Sequence, residues 1–487
     1  MAVDAKHPLW TESIGDWELM RDSYKGERAV KERGDRYLPP TANMRANGYA
    51  SGQGDGFHEY CAYRTRAVYH DYVKDAVNYF LGLMHRKPPK IKLPSALSSY
   101  VDRITERGES LDYLLRRINF QQIVAGRIGL LVDLPQALTQ GNVLPYIATY
   151  YAENIINWDD GTNFTEFTQP RLNLVVLDES SNEREGYNWK LVDKYRVLTL
   201  GDPEVNEAPG EAATYFTMVE RKDGARTLSP RSPSLAGTTL TEIPFTFVNA
   251  CDLVADPDQP PLLGLATICM AMYRTEADYR QNLFMQGQDT LVVIGGQEDD
   301  YRTGAGAVIK PDMGGDAKYV GVQSAGLAEQ RQALENDKRE AAIKAGQNID
   351  AKTRTRESGD ALKIRVSSQT ATLNQIALTG AAGLQAALRQ AATWRGLDPD
   401  QVIVEPNLDF ADSGLGSRNL VELMTAKSLG APISTLSIHT LMKAQGMTEM
   451  TFDDEIKEIG NDPDITPDPP PLPEDPNANP PTDPNAP

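Results

Sequence analysis

Three cysteines in 487 residues, Cys61, Cys251 and Cys269, fall at no paired spacing. That excludes a disulfide framework and a zinc knuckle and points to a reducing compartment. The five histidines (His7, His58, His70, His85, His439) are scattered, and His58-Glu59 has no second histidine at the zincin spacing. No Gly-x-Ser-x-Gly elbow occurs, so a nucleophilic serine has no signature. Ser51–Gly56 is glycine-rich but lacks the Walker lysine of a phosphate loop. Asp159, Asp160 and Asn163 could hold a cation, yet their spacing fails the calcium-loop pattern, and a solvated turn is the preferred reading. Asp299-Asp300 and Asp453-Asp454 are sequence neighbours and do not share a face of regular structure. We therefore expect no enzyme: no catalytic residue, no metal and no cofactor is assigned. No apolar run is long enough to span a membrane, and no signal-peptide pattern is present. The expectation is a soluble, non-secreted chain.

Positive charge is also scarce. Lys and Arg number 49 against 68 Asp and Glu, for a net charge of −19. Such a chain is ill suited to gripping nucleic acid by its phosphates, although DNA could pass it without sticking. Residues 461–487 hold 11 prolines and six acids with no base or aromatic residue. They read as a disordered or polyproline-like tail. The length suggests roughly three domains.

What is present centres on Pro261–Trp394. The composition predicts a helix over Leu262–Gln288, an apolar β run at Leu291–Ile294 and a second helix over Leu327–Asn348. A polar loop, Asp350–Asp360, follows, and a long helix starts after Ser358-Gly359 and continues to Trp394. The first two helices lack the broad apolar stripe of a core helix. On the second, Leu327, Leu334 and Ala341 recur every seven residues as a thin seam. It suits one neighbouring helix, either of the same chain or of another copy. The long helix has no charged residue between Arg365 and Arg389. Gly380 and Gly383 in its middle mark a kink or a close helix contact. Lys352, Arg354 and Arg356 form a small basic cluster in the polar loop.

Upstream, residues 1–56 are polar with scattered anchors at Trp10, Trp17, Tyr24, Tyr37 and Leu38. Residues 57–85 read as one amphipathic helix, followed by helices at Ser95–Gly108 and Ser110–Ala125. Arg127–Asp133 reads as a buried strand. Further strands are expected at Pro145–Tyr151, Asn173–Leu177, Lys190–Leu200, Tyr215–Arg221 and Ile243–Val248, separated by turn clusters. An antiparallel β unit attached to helices makes the fold class α+β. Downstream, Pro399–Phe410 is partly β, and helices are expected at Ser417–Leu429, Ile433–Gln445 and Thr451–Ile459.

Several segments carry a resemblance. They are Tyr24-Lys25-Gly26, Tyr37-Leu38-Pro39, Gly126–Asp133, Tyr150–Trp158, Ile243-Pro244-Phe245, Pro260-Pro261-Leu262-Leu263, Tyr273–Arg280 and Ser358-Gly359-Asp360-Ala361-Leu362. Their order over roughly residues 20–400 resembles that of tailed-bacteriophage portal proteins (head-tail connectors), in particular the portal-like family once catalogued as a domain of unknown function. The resemblance implies a phage portal fold. Residues 1–260 would form an N-terminal arm and an α/β wing. Residues 261–290 and 326–349 would be the two stem helices, and 291–325 a small β clip. Residues 350–360 would be the channel loop, in which Lys352, Arg354 and Arg356 touch DNA transiently. The long kinked wing helix would cover 361–396, and a helical crown 397–460. It further implies a homo-oligomeric ring, normally of twelve subunits, at one capsid vertex of the virion, assembled in the host bacterial cytoplasm. Double-stranded DNA would pass through it without sequence specificity during packaging and ejection. The implied partners are the terminase large subunit, a head-tail adaptor and the major capsid or scaffolding protein. Two alternatives remain open: another virion component such as an adaptor or baseplate subunit, or a metal-dependent hydrolase using Asp159 and Asp160.

Overall fold

Helix begins earlier than the sequence suggests. In the computed structural model, α1 (Pro8–Lys25) opens with Pro8, whose missing N–H costs nothing in the first turn, and His7 Nδ1 accepts from the Leu9 amide at 3.3 Å. The structure describes residues 3–135, 144–161, 171–202, 213–235, 237–287, 290–295, 314–320, 326–346, 359–408, 410, 417–444, 448 and 450–461. The chain divides into two units, Met1–Phe410 and Ala411–Pro487.

In the first unit, α1 is followed by α2 (Glu27–Glu32), α3 (Ala42–Ala46), α4 (Asp55–Arg66) and α5 (Tyr72–Met84). The single helix expected over 57–85 is thus two. The break carries Ala67 and Tyr69 into the core, with Tyr69 edge-on to Tyr273 at 6.1 Å, so a tertiary contact overrides the local spacing. Strand β1 (Lys90–Lys92) precedes a short 3-10 stretch, Ser95–Val101, which replaces the helix expected to Gly108. The chain leaves helical geometry because Ile104 O accepts from the Ile147 amide, 2.9 Å away. Helix α6 (Leu111–Ala125) starts at Ser110, whose Oγ accepts from Tyr113 N.

The β region holds β2 (Arg127–Asp133), β3 (Tyr146–Tyr151), β4 (Ile155–Asp159), β5 (Leu174–Asp178), β6 (Ser181–Glu185), β7 (Asn188–Val192) and β8 (Tyr195–Leu200). It continues through β9 (Tyr215–Glu220), β10 (Arg226–Arg231), β11 (Ser234–Leu235), β12 (Thr238–Thr239) and β13 (Phe245–Asn249). The strand expected over Lys190–Leu200 is interrupted at Asp193-Lys194, where Lys194 O accepts from Glu179 N. Order β10-β9-β8-β5-β4 makes one sheet and β13-β2-β3 another. Every ladder among the described residues is antiparallel, which fits the α+β expectation.

Three long helices follow: α7 (Leu263–Gln286), α8 (Leu327–Lys344) and α9 (Gly359–Trp394). Between α7 and α8 lies a two-stranded ribbon of β14 (Thr290–Ile294) and β15 (Asp316–Val320), with Thr290 opposite Val320. Strand β16 (Ile403–Glu405) pairs with β1.

Two large apolar cores result, beside two small clusters. One is helical, with Met20, Tyr60, Val77, Cys269, Tyr273 and Ala341 among its members. The other joins the two sheets to α6 through residues such as Leu115, Leu130, Trp158 and Leu198. Helix α9 belongs to both. Leu373, Ile376 and Ala377 enter the first, while Leu384, Leu388 and Trp394 enter the second. Each of the large side chains among them contributes about 1.5–3 kcal/mol by burial. That double burial explains the long uncharged run. All seven residues of β2 are buried.

The second unit contains α10 (Ser417–Ser428), α11 (Thr435–Ala444) and α12 (Phe452–Asn461), close to the expected bounds. Ser434 Oγ accepts from Ser437 N at 3.0 Å. Asp453, Asp454 and Glu455 occupy the first turn of α12, where acids complement the helix dipole. The tail 462–487 lies outside the described residues. No described helix is long and apolar enough to cross a membrane.

Candidate functional site

Helix α7 is held by polar side chains on two stripes, which is why it shows no broad apolar stripe. Along one stripe, Arg274 Nε donates to Tyr37 O at 2.9 Å, Asp278 accepts from Tyr63 Oη at 2.6 Å, and Gln281 accepts from Arg66. The Arg66 guanidinium also lies 4.1 Å from the Phe284 ring centroid. Residues 274, 278 and 281 are spaced four and three apart, so they share one face. That face is stapled to α4 and, through Tyr37, to the segment before α3.

The other stripe faces α8. Glu276 is only 4% exposed. Its carboxylate lies 2.7 Å from Arg280 Nε and 3.8 Å from Lys338 Nζ of α8. His70 Nε2 is 3.9 Å away. Burial, reinforced by Lys338, holds His70 below its usual range, so near neutral pH the carboxylate is balanced by the two long cations. Further along, Asn282 Nδ2 donates to Gln330 Oε1 at 3.1 Å.

Among the described residues, the apolar burial of the helix pair is concentrated toward one end. The buried residues of α7 run from Leu265 to Ala277. Beyond them Leu283, Phe284 and Met285 are each more than 40% exposed. On α8, Ala341 and Ala342 are fully buried, while the first turn is exposed or half-buried. The other end carries the ribbon of β14 and β15. At 1.5 Å per residue, α7 is roughly 36 Å long. The seam residues Leu334 and Ala341 are buried and Leu327 is half-buried.

The long helix is gripped midway. Gln122 Nε2 of α6 donates to Asn249 O at 2.7 Å and to Thr379 Oγ1 at 2.9 Å. Asn119 Nδ2 donates to Gln122 Oε1 at 2.9 Å, and His85 Nε2 lies 3.0 Å from Asn119 Oδ1. The Thr379 hydroxyl lies 3.0 Å from Ala250 O, and Gln375 Nε2 donates to Cys251 O at 2.8 Å. Gly380 and Gly383 sit at this point. A Cβ on Gly380 would meet Gln122 Oε1 at 2.6 Å, and one on Gly383 would press on both methyls of Val248. The helix runs unbroken from Gly359 to Trp394, and both glycines admit close neighbours.

Among the other sequence candidates, Asp159 is used in a turn: its Oδ1 accepts from Gly161 N at 3.0 Å. Among the described residues no group of His, Cys, Asp and Glu could hold a metal ion. Lys352, Arg354 and Arg356 lie outside the described residues, as do Asn163, Asp299-Asp300 and most of 291–325. Sequence reasoning missed Glu276 and the Asn119–Gln122–Thr379 network. The signal was there only in part: Glu276 and Arg280 are four apart, but their partner Lys338 lies on another helix.

Residues 261–395 match the family model described as "Domain of unknown function (DUF4055)". No curated protein matches. Among solved structures, the chain is similar to one described as the neck of a native GTA particle computed with C12 symmetry. Identity there is 13%, the match covers 76% of this chain and 89% of that chain, and the TM-score is 0.38. It is also similar to the neck of an empty GTA particle computed with C6 symmetry, at 12% identity, covering 77% and 90%, with a TM-score of 0.39. The family match over 261–395, whose description is that of a domain of unknown function, spans α7, the ribbon, α8 and α9.

Proposed function

We propose that the chain is the subunit of a phage portal-like ring, a conduit for DNA and a docking platform at one capsid vertex. The observation that carries this reading is the helix–ribbon–helix–long-helix succession within 261–395, with the apolar burial of the helix pair concentrated toward one end. In this reading α7 and α8 are the stem, and β14 and β15 are the root of the clip that meets the terminase large subunit and then a head-tail adaptor. Residues 350–360 form the channel loop, α9 is the wing helix, and residues 397–460 form the helical crown. The ring is homo-oligomeric, normally of twelve copies, in contact with the major capsid or scaffolding protein. A head-to-tail ring closes by symmetry and covers exposed helix faces such as Leu283–Met285. The acidic balance of the chain, −19, keeps passing duplex from sticking to the wall. No chemistry is assigned to it.

The test is electron microscopy of the purified full chain, with class averages viewed down the particle axis. A ring with an axial hole of duplex width is expected. A compact closed oligomer without a hole would refute the reading, and a ring of unrelated geometry would favour an adaptor or baseplate subunit.

A further inference from the structure

The break between α4 and α5 that carries Tyr69 onto Tyr273 also sets His70 against α7. Tyr273 and Glu276 are three apart and share the α7 face that meets this segment. His70 is half-buried, and its Nε2 lies 3.9 Å from Oε2 of Glu276, a residue only 4% exposed. Lys338 Nζ approaches the same oxygen, at 3.8 Å. Lys338–Glu276 is the one ion pair joining α8 to α7 among the described residues. Arg280–Glu276 lies within α7, and Arg331–Glu335 and Lys344–Glu340 lie within α8.

The two oxygens of this carboxylate are shared unequally. Arg280 Nε holds Oε1 at 2.7 Å, whereas His70 and Lys338 both reach toward Oε2. The other charged group acting on His70 is Asp71, its neighbour in the chain. Burial keeps the nearby Tyr72 and Tyr273 protonated and neutral. With His70 neutral, Glu276 and Asp71 balance Arg280 and Lys338. A proton on His70 adds a third cation to a buried site, where repulsion is weakly screened. Lys338 opposes that proton more than Arg280 does. Its side chain is 36% exposed, so its ammonium can withdraw into water.

We infer that His70 is a proton-operated latch on the α7–α8 pair: once protonated it takes Glu276 Oε2 and displaces Lys338, and α8 loosens from α7. Linkage fixes the direction. His70 is held below its usual range while Lys338 is seated and is more basic once Lys338 has left, so proton uptake favours the loosened arrangement. The latch is fully closed above about pH 6.5, the ordinary histidine value, and opens as the pH falls below it. The ribbon of β14 and β15 lies between the two helices in the chain, so its attachment loosens with α8. The latch does not depend on the ring reading above.

The experiment is hydrogen exchange of the full chain at about pH 7.5 and about pH 5.5, corrected for the intrinsic rate, in the wild type, His70→Gln and Lys338→Gln. The peptide covering α8 reports the latch. The peptide covering β8, whose Leu198 lies in the other core, reports global unfolding. In the wild type, α8 should exchange severalfold faster relative to β8 at the lower pH than at the higher. His70→Gln has nothing to titrate there and should lose that step. Lys338→Gln has no cation to displace and should lose it too, with α8 already looser at the higher pH. A wild-type chain without the step, or a step that persists in His70→Gln, overturns the latch. A step lost in His70→Gln but kept in Lys338→Gln overturns the displacement of Lys338. If His70→Gln fails to fold, Lys338→Gln, a change at a partly exposed position, decides alone, and a persisting step there overturns the proposal.

Discussion

Gly383→Ala tests whether α9 is pressed against the central sheet as tightly as the geometry requires. In an open helix position the change stabilises by about 1 kcal/mol, because alanine loses less backbone entropy than glycine. At Gly383 the new methyl would sit 2.9 Å from Val248 Cγ1, closer still to Cγ2, and 3.1 Å from Val248 Cβ. Val248 is fully buried on β13 and β-branched, so it has little rotamer freedom with which to retreat. Overpacking of this kind costs about 1–3 kcal/mol, and contact with a branch point belongs in the upper half of that range. The net expectation is a loss of roughly 1–2 kcal/mol. Gly82 is the control: it lies in α5, where an added methyl would meet nothing within 4 Å, so Gly82→Ala should be neutral or stabilising. Urea unfolding followed by tryptophan fluorescence reports on this core, since Trp394 lies in it. Val248→Ala costs stability alone but makes room for the methyl, so the pair should couple favourably by about 1 kcal/mol or more. If Gly383→Ala is at least as stable as wild type, or if the two changes add without coupling, the tight contact is refuted.

Glu276→Gln removes the charge shared by Arg280 and Lys338. Both cations are more than a third exposed, so screening holds the loss to about 1 kcal/mol. The same titration at high salt should shrink the difference, and a loss indifferent to salt would count against an electrostatic origin. Thr379→Val should destabilise by about 1–2 kcal/mol because Gln122 loses an acceptor in a buried site, while Thr379→Ser should be milder; a valine variant equal to wild type would mean that α9 is held by apolar burial alone. Burial holds His70 and His85 below their usual range. The unfolded chain therefore takes up protons first as pH falls through about 6.5, and stability fully present above that pH is lost below it. His85→Gln, whose amide can still donate to Asn119, should flatten the fall of the thermal midpoint from about pH 7.5 to about pH 5.5; an unchanged slope would dismiss His85 as a contributor. In the proposed channel, replacing Lys352, Arg354 and Arg356 together by Ala should leave ring assembly intact and impair packaging or retention of DNA, and normal packaging by that variant would remove the loop from the mechanism.

The elements legible in the sequence are those whose burial is written in their own residues. The strand Arg127–Asp133 is readable to the residue because an apolar run buried on both faces needs no partner to be recognised. The long helix is equally plain, since Gly359 and Trp394 bracket a stretch without charge in its middle. Helix α1 escapes a sequence reading although Trp10, Ile14 and Trp17 are four and three apart; their polar neighbours outweigh that spacing. Most of the β6–β7 ribbon escapes it because its alternation is weak and its strands are exposed. The break between α4 and α5 is invisible for another reason: it depends on Tyr273, which lies far along the chain. The network around Thr379 joins α5, α6, the loop after β13 and α9, and no local window of sequence contains it.

That network sits where α9 passes from one core to the other. Apolar packing is non-directional and a helix can slide along it at modest cost; hydrogen bonds in a buried site cannot stretch without leaving donors unpaired. Leu373–Ala377 and Leu384–Trp394 therefore hold α9 in place laterally, while Gln122, Asn119 and the carbonyls of Asn249 and Ala250 fix its position along its axis. The first turn of α9 follows directly on the segment that holds Lys352, Arg354 and Arg356. If that segment is loaded by moving DNA, the load runs along α9, and the resistance lies at Thr379 rather than in the apolar faces on either side. Glycine at 380 and 383 is what lets α6 and β13 come close enough to make that grip.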